Sequence, residues 1–213
     1  MKKLLAIAWL CLTIAFFFFS CTILPKTVES PPPETASAAP EKPVIPPVPE
    51  LIMGQGLISV DDMAAFLLGV NPDAEKYDIE DLVFIYTEEA AVEGVNHDVA
   101  FAQMCLETGF LRFGGLVTPD MNNFCGLGSI GPGQNGEVFP TPRMGIRAHI
   151  QHLKAYASEA PLNQELVDPR YRYVRYGSAP AIRLLAGTWA ADKSYAEKID
   201  AILNRLYVLS FGS

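Results

Sequence analysis

The first 50 residues confine the foldable part of this chain to residues 51–213. Lys2 and Lys3 precede an apolar run from Leu4 to Phe19, and residues 25–49 are rich in Pro, Glu, Ala, Ser and Thr without apolar periodicity. The apolar run is typical of an export signal or a membrane anchor, and proline-rich chain favours extended polyproline conformation. About 160 residues remain, which is enough for one domain with a sizeable core and too few for two.

The apolar run ends at Ser20 and Cys21, which is the layout of a bacterial lipoprotein signal with its lipid-acceptor cysteine. Phe18 stands three residues before Cys21, where such signals more often carry Leu. An uncleaved anchor is the alternative, because residues 4–24 are nearly long enough to cross roughly 30 Å of hydrocarbon. We predict a signal peptide over residues 1–20, a tether over 21–50, and an exported domain over 51–213 that is anchored to a membrane through Cys21.

Charge and motif content exclude several function classes. The net charge is −8 and no Lys/Arg cluster offers a track for phosphates, so we expect no nucleic-acid partner. The glycine-rich stretch Ser129–Gly136 lacks the Lys-Ser/Thr of a nucleotide-binding loop. His149 and His152 have a spacing that can hold a metal, but no third ligand accompanies them. We therefore expect no metal and no cofactor.

Cysteine usage leaves two interpretations open. Cys11 lies in the predicted signal and Cys21 is the predicted lipid site, so Cys105 and Cys125 are the pair in the exported domain. An even pair in an oxidising compartment predicts a disulfide. The alternative is two buried free thiols that pack as small hydrophobic groups.

A helix over roughly 97–108 presents the candidate catalytic acid. Asn96 suits the N-cap, Asp98 suits the first turn, and Gly109 ends the helix, so Glu107 falls in the last turn. The negative end of the helix dipole there disfavours the charged carboxylate, and apolar neighbours would raise its pKa further. A surface glutamate at a frayed helix end is the alternative.

The remaining apolar periodicity is helical, and no alternating strand pattern is convincing outside the segment near Glu137. We predict a mainly α fold with a short irregular or β-hairpin loop that flanks a cleft. A solvated helix face is expected for Glu80, Asp81, Glu88, Glu89 and Glu93. The alternative is that Glu89 or Glu93 is a second active-site carboxylate. The predicted helices start at the capping residues Ser59, Asp78, Asn96, Thr141, Ser178 and Asp192.

Several ordered motifs resemble the glucosaminidase domain of bacterial cell-wall hydrolases, glycoside hydrolase family 73, within the lysozyme-like superfamily. They are Asp98-Val-Ala-Phe-Ala-Gln with Glu107-Thr-Gly, Asn122-Asn-Phe-Cys-Gly-Leu-Gly, residues 139–156, Val167-Asp-Pro-Arg, Gly177-Ser-Ala-Pro and residues 189–199 with Tyr195. The resemblance covers nearly the whole domain. It implies a lysozyme-like fold that cleaves β-1,4 bonds after N-acetylglucosamine in the glycan strands of peptidoglycan.

The resemblance also implies roles for individual residues. Glu107 takes the position of the general acid and Tyr195 that of a cleft tyrosine. Asn123 and Phe124 take the positions of sugar-contacting residues, and with Asn122 and Gln103 they form the predicted substrate-binding set. Asn122 and Asn123 offer paired amides that suit N-acetyl groups, although they equally suit turns.

The second catalytic group is left open. The segment after the Asn-Phe-x-Gly turn is shorter than in commoner family members, and Glu137 is the carboxylate in it. Either Glu137 acts with Glu107, or the substrate's own N-acetyl oxygen attacks the anomeric carbon while Tyr195 orients the amide. We favour the second route.

Other functions compete with this one. A muramidase or lytic transglycosylase would use the same acid at another bond. A wall amidase would need a zinc site, which the sequence does not offer. A non-catalytic module that binds glycan is the remaining alternative. Reducing-end N-acetylglucosamine, reducing-end muramic acid and an anhydro product distinguish the glycosidases in the released fragments.

A tagged fatty acid tests the predicted anchor. We expect the wild-type protein to take up the label and Cys21→Ala to take up none, because the cysteine thiol is the acylated group. Equal labelling of the two proteins, or none on the wild type, would favour a plain membrane anchor.

Overall fold

The computed structural model describes residues 43–131 and 133–212. They form a mainly helical domain, which confirms the predicted fold class. The helices and the short hairpin are α1 (Val60–Val70), α2 (Ile79–Glu93), α3 (His97–Glu107), β1 (Ser129–Gly131), β2 (Gln134–Asn135), α4 (Pro142–Ala157) and α5 (Tyr195–Phe211). β1 and β2 pair in antiparallel orientation, with Ser129 opposite Asn135. The hairpin lies in the segment where the sequence predicts a short loop or hairpin.

Side-chain caps confirm four of the predicted helix starts. Ser59 Oγ accepts a 3.1 Å hydrogen bond from a backbone N–H in the first turn of α1. Asp78, Asn96 and Thr141 do the same for α2, α3 and α4. Each cap satisfies an N–H group that has no partner within its own helix, which is why short polar residues mark these starts.

Two predictions near the C-terminal end are wrong. Ser178 does not start a helix, because the stretch after it holds a single 3₁₀ turn at Ile182–Leu184. The last helix begins at Tyr195 and not directly after Asp192. The Asp192 carboxylate accepts a 2.9 Å hydrogen bond from the backbone N–H of Ser194. Such a local bond favours a turn over the continuation of a helix.

α3 is the central helix of the domain. Every residue from Asp98 to Cys105 is buried, and α2, α4 and α5 all pack against this helix. A helix enclosed on several sides has to satisfy its polar side chains within the protein. Asp98 and Gln103 are fully buried, so each needs partners from neighbouring elements.

Ion pairs with buried carboxylates join α2 to α4. Glu89 pairs with Arg143 and Arg147 at 2.9 Å, and Glu93 pairs with Lys154 at 2.8 Å. Glu89 and Glu93 are 2% and 1% exposed. The prediction that they lie on a solvated face is therefore wrong. The periodicity of α2 alone does not reveal that long cationic side chains on α4 cover these two carboxylates.

Asp98 joins α3 to α5 and to the chain that precedes α1. Its carboxylate accepts hydrogen bonds from the N–H groups of Leu57 (2.9 Å) and Ile58 (3.2 Å) and from the hydroxyl of Tyr207 (2.7 Å). A Cβ added at Gly56 would lie 2.6 Å from Asp98 Oδ1. The chain therefore approaches the carboxylate this closely because residue 56 has no side chain.

Cys105 and Cys125 are both buried free thiols, so the predicted disulfide is wrong. Cys105 lies on α3 in the main core, whereas Cys125 belongs to a smaller cluster with Leu127, Phe139 and Ala148. Burial raises the pKa of both thiols. The two side chains pack as small hydrophobic groups, which is the alternative that the sequence left open.

The predicted signal, the lipid site Cys21 and most of the tether lie outside the described residues. Val48 already packs against the core, and the Glu50 carbonyl accepts a 3.0 Å hydrogen bond from Ile182 N. The domain thus begins slightly before the predicted boundary at residue 51. Over residues 43–131 and 133–212, no helix is both long enough and apolar enough to cross a bilayer.

Replacing Asp98 by alanine should lower the free energy of unfolding by something on the order of 3 kcal/mol, because two backbone N–H groups and a buried hydroxyl lose their acceptor. Tyr207→Phe removes one donor and keeps the backbone bonds, so about 1 kcal/mol is expected. Urea unfolding followed by circular dichroism measures both values. Equal losses would contradict the view that Asp98 is a shared acceptor.

Candidate active site

Glu107 is the last residue of α3, and α5 supplies one of its partners. Its Oε1 accepts a 3.0 Å hydrogen bond from the indole N–H of Trp189 and another from the hydroxyl of Tyr195, the first residue of α5. Its Oε2 lies toward Gly126, where an added Cβ would be 3.8 Å away. The two donors therefore hold one oxygen of the carboxyl group and leave the other on the side of Gly126.

The pKa of Glu107 is raised. Burial is the largest cause, and the hydrogen bonds from Tyr195 and Trp189 oppose it because they stabilise the charged form. The net direction is upward, so this carboxyl keeps its proton to a higher pH than a solvated glutamate does. Such a group is suited to donate a proton near neutral pH.

Two neighbouring cavities flank the turn that ends at Ser129. The acid cavity encloses about 290 Å³ and the aromatic cavity about 230 Å³, and Gly126 and Ser129 line both. The acid cavity is further lined by Glu107, Thr108, Gly109, residues 113–117 and Asn123. The aromatic cavity is further lined by His152, Tyr156, Arg170, Tyr173, Val174, Trp189 and the turn residues Cys125, Leu127 and Gly128. Together the two cavities are the candidate cleft, and Glu107 lines the acid cavity.

The Asn123 amide holds the turn between the two cavities. Its Nδ2 donates to the carbonyls of Leu127 (2.9 Å) and Glu137 (3.0 Å), and its Oδ1 accepts from Leu127 N at 2.9 Å and Cys125 N at 3.4 Å. Asn123 backs the acid cavity, but it is only 1% exposed and its amide is fully used. The amide thus acts within the turn, as the turn interpretation expects, and its binding to substrate stays a prediction.

The same turn rests on α4 at Gly145. A Cβ added there would lie 1.7 Å from the carbonyl oxygen of Asn122, so helix and turn meet backbone against backbone. Asn122 has a φ of 50°, a left-handed conformation that Asn adopts more readily than most residues. Its Nδ2 donates to the Phe139 carbonyl at 2.9 Å, and it lines neither cavity. Its amide is used within the protein, and its role in substrate binding stays a prediction.

Gln103 and Phe124 are 0% and 3% exposed and line neither cavity. The prediction that they contact substrate is wrong for both. Phe124 is part of the main core. Both side chains point away from the surface because α3 and the turn bury them against other elements.

Gln103 continues a buried chain of hydrogen bonds that begins at Glu107. Its Nε2 donates to the Tyr195 hydroxyl oxygen at 2.9 Å, and its Oε1 lies 3.0 Å from His149 Nε2. The other ring nitrogen of His149 lies 3.0 Å from the Tyr86 hydroxyl. Tyr195 thus contacts Glu107 on one side and Gln103 on the other, and it is 5% exposed.

Glu137, the candidate second acid, lines neither cavity. Its side chain is 33% exposed, and its Oε1 lies 4.0 Å from an Arg170 guanidinium nitrogen. It packs over Gly128, where an added Cβ would be 3.0 Å from it. The structure therefore brings Glu107 and Tyr195 together but does not place Glu137 beside them.

His152 and Trp189 are cavity residues that sequence reasoning did not assign. His152 Nδ1 lies 2.7 Å from a carboxylate oxygen of buried Asp168, and its ring stands edge-on to Trp189 with centroids 5.2 Å apart. Trp189 precedes Tyr195 by six positions in a quoted motif, but an indole in a sequence equally suits a core. In the described part of the chain, no three His, Cys, Asp or Glu side chains are grouped to hold a metal ion.

Gly145→Ala tests the contact between helix and turn. The added methyl group would overlap the Asn122 carbonyl, so we expect the turn to move and both activity and melting temperature to fall. Gly69→Ala is the matched control, because it also lies in a helix and its added Cβ meets nothing within 4 Å. Equal melting temperatures for the two variants would contradict the contact.

Comparisons with known proteins identify one family, one related sequence and one solved structure. Residues 84–208 match the Glucosaminidase family, described as mannosyl-glycoprotein endo-beta-N-acetylglucosaminidase. An uncharacterized protein of Borreliella burgdorferi is 42% identical over 155 residues, which cover 73% of this chain and 76% of that protein. The catalytic domain of the autolysin Auto from Listeria monocytogenes is 16% identical, with a TM-score of 0.42 over 70% of this chain and 86% of that one. Since the family match spans more than half of the sequence, this chain belongs to the glucosaminidase family.

Proposed function

We propose that this protein is a peptidoglycan hydrolase that cleaves the β-1,4 bond after N-acetylglucosamine, with Glu107 as the general acid. The observation that carries the proposal is a glutamate with a raised pKa that faces a cavity and is held there by Tyr195 and Trp189. Membership of the glucosaminidase family supports the reaction class. The aromatic rings beside Glu107 suit stacking on sugar faces.

The hydrogen bonds at Glu107 favour one position for the catalytic proton. Oε1 already accepts from Trp189 and Tyr195. In the protonated acid the hydrogen therefore belongs on Oε2, which lies toward Gly126 and the turn between the cavities. From Oε2 the proton passes to the glycosidic oxygen as the bond from that oxygen to the anomeric carbon breaks.

The source of the nucleophile is the next step of the proposal. Among the described side chains that line the two cavities, Glu107 is the single carboxylate. This supports attack on the anomeric carbon by the substrate's own N-acetyl oxygen. The Glu107 carboxylate then takes a proton from the water that opens the cyclic intermediate. Tyr195 serves Glu107 here and not the acetamide, because its hydroxyl is engaged with Glu107 and Gln103.

We further propose that the enzyme is held at a membrane by a lipid on Cys21. The support is the sequence layout of residues 1–21 and the proline-rich stretch of residues 25–49. About 26 residues separate Cys21 from Val48, where packing on the domain begins. As extended polyproline chain this length reaches roughly 80 Å, which allows the cleft to meet glycan away from the lipid surface.

Glu107→Gln should remove turnover and leave the fold intact, because the amide keeps the shape of the side chain without a transferable proton. A loss in rate on the order of 10²–10⁴ is expected from general acid catalysis. The assay is digestion of purified peptidoglycan, with mass spectrometry of the released fragments. Reducing-end N-acetylglucosamine is the expected product of the wild type.

Glu137→Gln is the matched comparison, since it makes the same chemical change in a carboxyl outside both cavities. We expect it to keep at least half of the wild-type rate. A large loss of rate in Glu137→Gln would identify the Glu137 carboxylate as the second catalytic group. Near wild-type digestion by Glu107→Gln would overturn the proposed function.

A further inference from the structure

We infer that Tyr86, His149 and Gln103 are positioning residues, whose buried hydrogen bonds hold Tyr195 as a donor to Glu107 and so keep the catalytic proton on the cleft side of the acid. The inference rests on the proposed function, in which Glu107 is the general acid. It assigns a role to three buried side chains that do not line the cleft.

The chain of hydrogen bonds links four of the five helices in the described part of the protein. Tyr86 comes from α2, Gln103 from α3, His149 from α4 and Tyr195 from α5. Tyr86, His149 and Gln103 are fully buried. The hydrogen bond between Tyr86 and His149 is 3.0 Å long, that between His149 and Gln103 is 3.0 Å, and that between Gln103 and Tyr195 is 2.9 Å. Buried polar groups linked in this way polarise one another, so a change at one end is felt at the other.

The direction in which these hydrogen bonds donate follows from the protonation of His149. Burial, followed by the nearby His152, lowers the pKa of His149 to about 3. The ring is therefore neutral and has one donor and one acceptor nitrogen. Since Gln103 Oε1 faces His149 Nε2, that nitrogen carries the hydrogen, and Nδ1 accepts from Tyr86.

The same logic fixes the hydroxyl of Tyr195. Gln103 Nε2 donates to the Tyr195 oxygen, so the single Tyr195 hydrogen is available to Glu107 Oε1. Every member donates toward Glu107. The Gln103 amide determines this direction, because its donor and acceptor ends cannot exchange unless the amide turns over.

Reversal of this series of hydrogen bonds would disable Glu107 as an acid. With the amide turned over, Tyr195 would donate to Gln103, and protonated Glu107 would donate its own hydrogen to Tyr195. The transferable proton would then sit on Oε1, against Tyr195 and Trp189 in the protein, and not on Oε2. Reversal would also leave the buried Tyr86 hydrogen without its acceptor, His149 Nδ1. The hydrogen bond from Tyr86 therefore favours the orientation of Gln103 in which the acid is presented to substrate.

The groups that titrate around Glu107 are limited in number among the described residues. Tyr195 and Cys125 are its ionisable neighbours, and burial raises the pKa of both, so they stay neutral through the working range. His149 meets Tyr86, Gln103, His152 and Trp189. His152, with its partner Asp168, also lies beside Trp189, so an alkaline limb in the rate profile is assigned to Glu107 where it moves in the variants of Gln103 and Tyr195.

Gln103→Met tests the inference, because it preserves volume and removes both hydrogen bonds of the amide. The Tyr195 donor bond lowers the pKa of Glu107. Weakening that bond should raise the pKa and move the alkaline limb of kcat/KM to higher pH. We expect kcat to fall about tenfold, the effect of one ordinary hydrogen bond, with KM within about twofold of wild type.

Tyr195→Phe should move the alkaline limb in the same direction and by more. In the Tyr195→Phe background, Gln103→Met should shift the alkaline limb no further, since its effect passes through the missing Tyr195 hydroxyl.

Tyr86→Phe, which deletes one oxygen, should give a smaller shift of the alkaline limb in the same direction. It keeps the inference testable where Gln103→Met fails to fold. Tyr207→Phe is the control, because its buried hydroxyl bonds to Asp98 and should affect stability alone.

An unchanged alkaline limb in both Gln103→Met and Tyr86→Phe, or full additivity of Gln103→Met with Tyr195→Phe, would overturn the inference. These results leave the role of Glu107 untouched if Glu107→Gln is inactive. Activity in Glu107→Gln would instead overturn the proposed function itself. The two failures are therefore separate observations.

Discussion

The domain depends on hydrogen bonds that join the two ends of α3 to the two ends of α5. Tyr207, near the end of α5, donates to Asp98 at the start of α3. Tyr195, at the start of α5, donates to Glu107 at the end of α3. The two helices therefore run antiparallel with polar contacts at both ends and apolar packing between. A one-residue slip would break both contacts, so the same pairing that stabilises the fold also sets the position of the acid.

The two acids that accept these hydrogen bonds, Asp98 and Glu107, have different surroundings. Asp98 is fully buried and accepts three hydrogen bonds, so its carboxyl group is used entirely within the protein. Glu107 is partly open to a cavity and accepts on one oxygen only, so its surroundings allow a proton on the other. Two acids on one helix thus have different chemistry because of where their neighbours come from.

Local signals in the sequence predict much of the fold. Short polar residues ahead of apolar periodicity indicate the starts of four helices, and Gly109 marks the end of the helix that bears Glu107. Contacts between distant segments are not predictable in this way. The pattern of α2 places Glu89 and Glu93 in solvent because helical periodicity does not show which cation from another helix will cover a carboxylate.

The candidate site shows the same difference between local sequence signals and contacts between distant segments. The motifs point to Glu107 and Tyr195, and the structure brings these two residues into contact. The motifs also place Asn122, Asn123, Phe124 and Gln103 at the sugar, but each is used to build the wall or support of the cleft. A polar residue in a motif reveals that a hydrogen bond is needed, but it does not reveal whether the partner is substrate or protein.

The opposing influences on Glu107 have distinct chemical uses. Burial raises its pKa, which keeps the acid protonated before reaction, while Tyr195 and Trp189 stabilise the carboxylate. That negative charge develops as the proton leaves for the glycosidic oxygen, so the two donors act most strongly in the transition state. Without burial the same donors would leave the group ionised near neutral pH. Without the donors burial would hold the proton too tightly, and transfer would leave an unsolvated charge. An effective acid at this position therefore needs both the apolar surroundings and the two hydrogen bonds.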